Sequence, residues 1–171
     1  MNLFLHGGEV ATENEAPQRA DVWIVDGIIK NVGVIDVPEG ARLIDCTGKI
    51  VMPGMFDAHV HFREPGQEKK ETILDGTEAA INGGITGVVM MPNTSPSVDS
   101  PTVVNRVLEQ GKKCRIPVLT SACITVGRAG LEMAPIAGLK EAGILMLTDD
   151  GDAVPNAALL KRAMEYGKEF D

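Results

Sequence analysis

The sequence predicts an α/β protein in two parts: a small β-sandwich-like module over residues 1–53, then parallel strands alternating with helices over residues 54–171. Three observations carry that reading. Short β-type runs separated by polar or Gly-containing segments fill the stretch before Met52. From Gly54 onward the pattern changes to strand, loop, helix, repeated. Polar residues then gather just after the strands, on the edge where parallel α/β folds build their sites.

Taken in order, NLFLHG, ADVWIV, IIKNVG and ARLIDC read as the strands of the module. Asp26-Gly27 is a hairpin signal, since both residues tolerate the positive φ of a tight two-residue turn. MFDAHVHF is the first strand of the second part, and Glu64-Pro65-Gly66 reads as turn chemistry after it. A helix is expected from about Glu71 to Asn82, with Ile73, Leu74, Thr77 and Ile81 on one side and Gly83-Gly84 at its end. ITGVVMM suits a buried parallel strand. Ser100-Pro101 opens the next helix, with Val103, Val104, Val107 and Leu108 facing inward. RIPVLTSACI is the third strand, Leu131 to Ala142 the third helix and GILMLT the fourth strand. Asn156 caps a last helix carrying Leu159, Leu160 and Ala163. Four strand–helix units are half of the eight that close a barrel of roughly 250 residues.

Composition narrows the function classes. The chain has 171 residues, 44% apolar and 23% charged, enough for a substantial core. A formal net charge of −8 without a Lys/Arg cluster argues against nucleic acid or an anionic membrane and for a small-molecule partner. Cys46, Cys114 and Cys123 show no CxxC spacing, which suits reduced thiols packed as small hydrophobes. The N-terminus has no basic start and the chain no long apolar run, so a cytoplasmic protein is expected.

Two of the three histidines, His59 and His61, stand one residue apart at the end of an apolar run. In a strand, residues i and i+2 share a face, so both imidazoles point the same way. By itself such a pair is as compatible with surface histidines as with half of a metal site, and a metal site needs further ligands. Asp149-Asp150 before Gly151 alone suits a cap or turn pair; Asp57 is a candidate supporting residue, and His6 is expected to be structural.

HVHFREPG, then GGITGVVMMPNT, then LTDDG, in that order, resemble dihydroorotase of the bacterial class I type, within the amidohydrolase superfamily. The resemblance extends over essentially the whole chain. It implies the first half, about four βα units, of a distorted amidohydrolase-type (β/α)8 TIM barrel behind a β module, with one or two zinc ions at the C-terminal ends of the strands. It also implies interconversion of L-dihydroorotate and N-carbamoyl-L-aspartate in pyrimidine biosynthesis. His59 and His61 match the first metal-ligand pair, and Asp150 the ligand that joins the metals where many relatives use a carboxylated lysine. His61, Arg63 and Asn93 match substrate-binding positions, an Arg fork and an amide suiting the substrate carboxylate.

The family's later ligands and its general acid/base Asp belong to strands beyond residue 171, so the chain alone is expected to be inactive. A homo-oligomer or a complementing C-terminal half is the expected partner. Two other readings stand beside the enzyme: a non-catalytic dihydroorotase-like scaffold subunit, and a related amidohydrolase such as allantoinase. The joint presence of His59, His61, Arg63, Asn93 and Asp150 favours the dihydroorotase, because a scaffold has no physical need of all five.

Overall fold

The structure, a computed structural model, describes residues 1–13 and 16–170. The chain divides into two compact units, Met1–Pro53 and Gly54–Asp171.

The first unit is a five-stranded sheet. β1 (Asn2–Val10) lies at its centre, antiparallel to β2 (Gln18–Val25) and parallel to β4 (Arg42–Asp45) and β5 (Ile50–Val51). β3 (Ile28–Gly33) pairs with β2 through the expected two-residue turn, where Asp26 and Gly27 take φ of 51° and 78°. Positive φ at both central residues matches the turn to the twist of the strands. Between Leu5 and Gly8 the pairing of β1 with β2 shifts, and Gly7 there has φ of 70°. The buried Asp21 holds this bulge: one carboxylate oxygen accepts the Gly7 N–H (2.8 Å) and lies 2.9 Å from His6 Nδ1. His6 is therefore engaged inside the module, the structural role expected of it.

The second unit is a four-stranded parallel sheet in the order β6 (Met55–Val60), β7 (Ile85–Met90), β8 (Val118–Ala122), β9 (Met146–Leu147). The intervening helices are α1 (Ile73–Asn82), α2 (Pro101–Gly111) and α3 (Ile136–Ala142), and α4 (Ala157–Gly167) follows β9. α1 packs on β7 and α2, and α2 on β8 and α3. Val88, Met90, Val104, Val107, Ala122 and Leu139 join Phe62 and Ile73 in one apolar core. Every residue of β7 from Gly87 to Met90 is buried, as a parallel strand covered on both faces requires.

Three elements depart from expectation. Leu74 is 49% exposed, because the inward stripe of α1 runs through Ile73, Gly76 and Thr77. Gly76 faces the Phe62 ring so closely that a Cβ would come within 2.3 Å of it. Ser100 occupies the α2 N-cap without a side-chain hydrogen bond. The third helix starts at Ile136 rather than near Leu131, which is 83% exposed. Pro135 disfavours helical geometry at the residue before it, and left-handed backbone at Gly127, Arg128 and Gly130 precludes a helix upstream. Residues 124–134 instead make a compact loop closed by a Thr125–Met133 bridge. The α4 cap is as expected, with Asn156 Oδ1 accepting the Ala158 and Leu159 N–H groups at 3.1 Å each. Among the described residues no helix is long and apolar enough to cross a membrane.

Burial pushes the Asp21 carboxyl up, but the Gly7 and Ile35 N–H groups and the His6 ring outweigh it and hold Asp21 below the usual carboxylate range. Its contribution to stability is thus present above the ordinary value of about 3.9 and lost as pH falls through the lower folded value. Asp21→Asn should destabilise the protein at neutral pH, by an amount that shrinks towards pH 3. Trp23, the single tryptophan, sits two residues away in β2 and can report urea unfolding across that range. A wild-type to variant difference that stays constant with pH would remove this role for the ionised carboxylate.

Candidate metal centre

All four loops that leave the C-terminal ends of β6 to β9 contribute to one locality. β6 ends at Val60, so His59 lies in the strand and His61 just past it. Asp57 Oδ1 accepts the His59 N–H at 3.0 Å, fixing the backbone where the first imidazole departs. The following turn is anchored on both sides. Glu64 Oε2 accepts the Ile73 N–H at 3.0 Å, adding to the α1 capping box made by Thr72 and Asp75. Gly66, at φ of 100°, lies against the loop after β7, where a Cβ would stand 1.8 Å from the Ser95 carbonyl oxygen. Only glycine fits there.

The two imidazoles converge. His59 Nε2 and His61 Nε2 are 3.2 Å apart, and Asp150 brings one oxygen to each: Oδ1 lies 3.3 Å from His59 Nε2 and Oδ2 3.4 Å from His61 Nε2. The three side chains form a cluster able to hold a metal ion. Bonds of about 2.0–2.1 Å at tetrahedral angles put neighbouring ligand atoms about 3.3–3.4 Å apart, close to the 3.2 Å between the two Nε2 atoms, and the carboxylate lies within reach of the same small dication. Asn93, just beyond β7, sets the chemistry of one ligand. His61 Nδ1 donates to Asn93 Oδ1 at 3.0 Å, which leaves the Nε2 lone pair directed at the cluster. His59 Nε2 faces this lone pair and the Asp150 carboxylate, so either a proton on His59 or a cation can bridge the three side chains, and a dication matches the donor set of two imidazoles and a carboxylate.

Asp150 owes its position to its neighbour. Asp149 is 3% exposed and faces away from the cluster into the loop after β8. Its Oδ1 accepts the Ile124 and Thr125 N–H groups at 2.8 and 3.1 Å, and its Oδ2 accepts the Thr125 hydroxyl at 2.5 Å. The Asp152 N–H then closes a turn onto the Asp149 carbonyl at 2.8 Å, with Gly151 at φ of 87° in the turn's third position. That position of a type II turn demands left-handed backbone. Local composition does not distinguish Asp149 from Asp150, and only the family resemblance singled out Asp150; tertiary contacts make Asp149 the anchor. Burial pushes the nearby Cys123 thiol up to about 12, with the charges of Asp149 and Asp99 adding to it, so this cysteine is an unreactive packing residue.

Comparison with known proteins places the chain in a family. A family model described as dihydro-orotase-like matches residues 48–171. The chain belongs to that family. It is 42% identical over 171 residues to the dihydroorotase of Citrifermentans bemidjiense, covering 98% of this chain and 40% of the relative. To the dihydroorotase of Pelotomaculum thermopropionicum it is 43% identical over 167 residues, covering 97% of this chain and 39% of the relative. This dihydroorotase-like chain thus spans about 40% of the length of such relatives. Among solved structures, the L-hydantoinase (dihydropyrimidinase) from Arthrobacter aurescens superposes with a TM-score of 0.80 at 20% identity, over 96% of this chain and 38% of that one. A D-hydantoinase gives 0.77 at 22% identity, over 99% and 38%. These two likenesses show the fold: a β module with a half-barrel of parallel strands.

The remaining expected site residue, Arg63, is half-buried just after His61. Its guanidinium has no hydrogen-bond or ion-pair partner among the described residues. Sequence reasoning missed Asp149 as the anchor and passed over Arg128. Burial of the first acid in TDDG leaves no compositional trace, and Arg128 lies in the stretch approaching the expected third helix.

The anchoring role of Asp149 is testable. Asp149→Ala leaves the Ile124, Thr125 and Thr125 hydroxyl donors without their acceptor, and should cost about 3 kcal/mol in urea unfolding. A loss below about 1 kcal/mol would show that the loop after β8 is held by something else.

Proposed function

We propose that this chain supplies the N-terminal, metal-binding portion of a zinc-dependent dihydroorotase, a cyclic amidohydrolase interconverting L-dihydroorotate and N-carbamoyl-L-aspartate. The observation that carries the reading is the convergence of His59, His61 and Asp150 at 3.2–3.4 Å on the C-terminal edge of a parallel sheet. Residues 54–171 are read as the first half of the barrel, and residues 1–53 as its accompanying β-sandwich-like module.

The donor set suits zinc, two neutral imidazoles and one carboxylate being a borderline-soft combination. When bound, zinc supplies Lewis acidity towards a ring amide carbonyl and towards water. The chain's own residues do the rest. Asn93 holds His61 in the tautomer that offers Nε2, and Asp57 fixes the backbone that carries His59. Arg63, two residues after His61 in the chain, has a planar fork with no side-chain partner among the described residues, suited to grip a substrate carboxylate bidentately, and the Asn93 amide nitrogen can add a directed hydrogen bond. A free carboxylate beside the reacting amide distinguishes dihydroorotate from uncharged cyclic amides, which supports this substrate over that of an allantoinase. The net charge of −8 and the free thiols of Cys46, Cys114 and Cys123 accord with a cytoplasmic enzyme of small molecules.

Two measurements on the native polypeptide test the proposal. His59→Ala or His61→Ala should sharply lower zinc content after dialysis, whereas His6→Ala, in the β module, should not; equal zinc in all three variants would remove the metal reading. Arg63→Lys retains charge but loses the fork, so KM for dihydroorotate should rise about tenfold or more with zinc content unchanged. An unaltered KM would assign Arg63 a purely structural role.

A further inference from the structure

Arg128 belongs to none of the motifs that carry the metal or substrate reading, yet it is one of two non-glycine residues among those described with left-handed backbone, at φ of 60°. It follows Gly127, itself at φ of 61°, whose N–H is bound by Asp99 Oδ2 at 2.8 Å. Two successive left-handed residues reverse the chain after Val126. The result is that the Arg128 guanidinium, only 21% exposed, reaches across to the loop after β9. Nη1 donates to the Asp150 carbonyl oxygen at 2.9 Å and pairs with Asp152 Oδ2 at 2.8 Å, while Nε lies 3.5 Å from Ser97 Oγ. Gly151 is packed beneath this side chain: a Cβ on it would lie 3.3 Å from Nη1 and 3.9 Å from Asn93 Nδ2.

We propose that Arg128 is a positioning residue for the metal centre, fixing the backbone of Asp150 so that its carboxylate meets His59 and His61. The proposal rests on the metal reading above. Asp149 holds one end of the turn through its buried carboxylate, and Arg128 holds the next peptide through its carbonyl. Asp150 therefore has its preceding residue and its own carbonyl held from the loop after β8, while its carboxylate stays unengaged by donors from that loop. Arg128 carries a positive charge close to a cation site, which by itself would weaken cation binding. Its presence there is explained by geometry, with the Asp152 carboxylate offsetting the charge.

The sign of the effect separates the two roles. If Arg128 acted only through its charge, Arg128→Met in the native polypeptide would bind zinc more tightly and Arg128→Lys would be unchanged. Positioning demands the opposite: zinc affinity, measured by competition with a chromophoric chelator, should fall by about tenfold or more in Arg128→Met, the range typical for residues that orient metal ligands. Arg128→Lys, which keeps the charge but reaches a single acceptor, should show a smaller loss. The visible spectrum of the cobalt(II)-substituted protein should change in both variants, reporting altered ligand geometry without reference to turnover. Should the Met variant fail to fold, the Lys variant decides by the same two readouts. Unchanged or tighter zinc binding in the folded variants, with wild type binding zinc normally, overturns the positioning role alone. A wild-type protein that binds no zinc overturns the metal reading and this inference with it.

Discussion

The buried Asp149 carboxylate is the constraint on which the arrangement of the site depends. It satisfies three donors of the loop after β8 from a residue of the loop after β9, so two connections that share no strand ladder become one unit. β9 has only two residues, Met146 and Leu147, and its ladder with β8 is correspondingly short. The strand itself could not locate Asp150 with the accuracy a ligand needs. A charged acceptor that gathers two backbone N–H groups and a hydroxyl in a water-poor setting can, because every alternative leaves polar groups unpaired.

The same logic operates on the other side of the site. The loops after β6 and β7 are joined by the Ser95 N–H to the Pro65 carbonyl at 3.0 Å, by the close approach at Gly66, and by the His61–Asn93 hydrogen bond. Two of the three candidate ligands thus have partners from a neighbouring loop: Asn93 for His61, and residues 124–128 for the segment bearing Asp150. His59 is held by its own strand through Asp57. Parallel strands bring all four loop ends to one edge, and cross-loop hydrogen bonds then set orientation. A cluster of two imidazoles and a carboxylate held this way needs little rearrangement to accept a cation, since cross-loop contacts already bring the three side chains together.

Membership of the dihydroorotase-like family, and the fold shared with hydantoinases, place this chain among proteins about two and a half times its length. Within the described residues the cluster offers three candidate ligands on the sheet edge. The partial exposure of His59 and His61, 56% and 36%, accords with an approachable centre rather than a closed structural one. In the β module the chain uses the same device for a different end. Asp21, buried like Asp149, gathers backbone N–H groups to stabilise an irregularity in β1 where the ladder cannot.

The sequence by itself determined the order of elements, the hairpin at Asp26-Gly27, the buried character of ITGVVMM and the cap at Asn156, because each depends on local periodicity or on a residue's own backbone preference. It also marked His59, His61 and Asp150, through motifs whose order along the chain is distinctive. Local reasoning failed where a neighbour in space outweighed it. Leu74 is apolar and near the right spacing, yet the ring of Phe62 selected Gly76 for the inner face. Residues 124–134 have helix-compatible side chains at Leu131 and Met133, yet Pro135 and three left-handed residues make them a mould for the next loop. That Asp149 anchors the loop after β8, and what Arg128 holds, is decided by hydrogen bonds between residues more than twenty positions apart. Only the folded chain brings those donors and acceptors within reach of one another, and no pattern along the sequence records the distance.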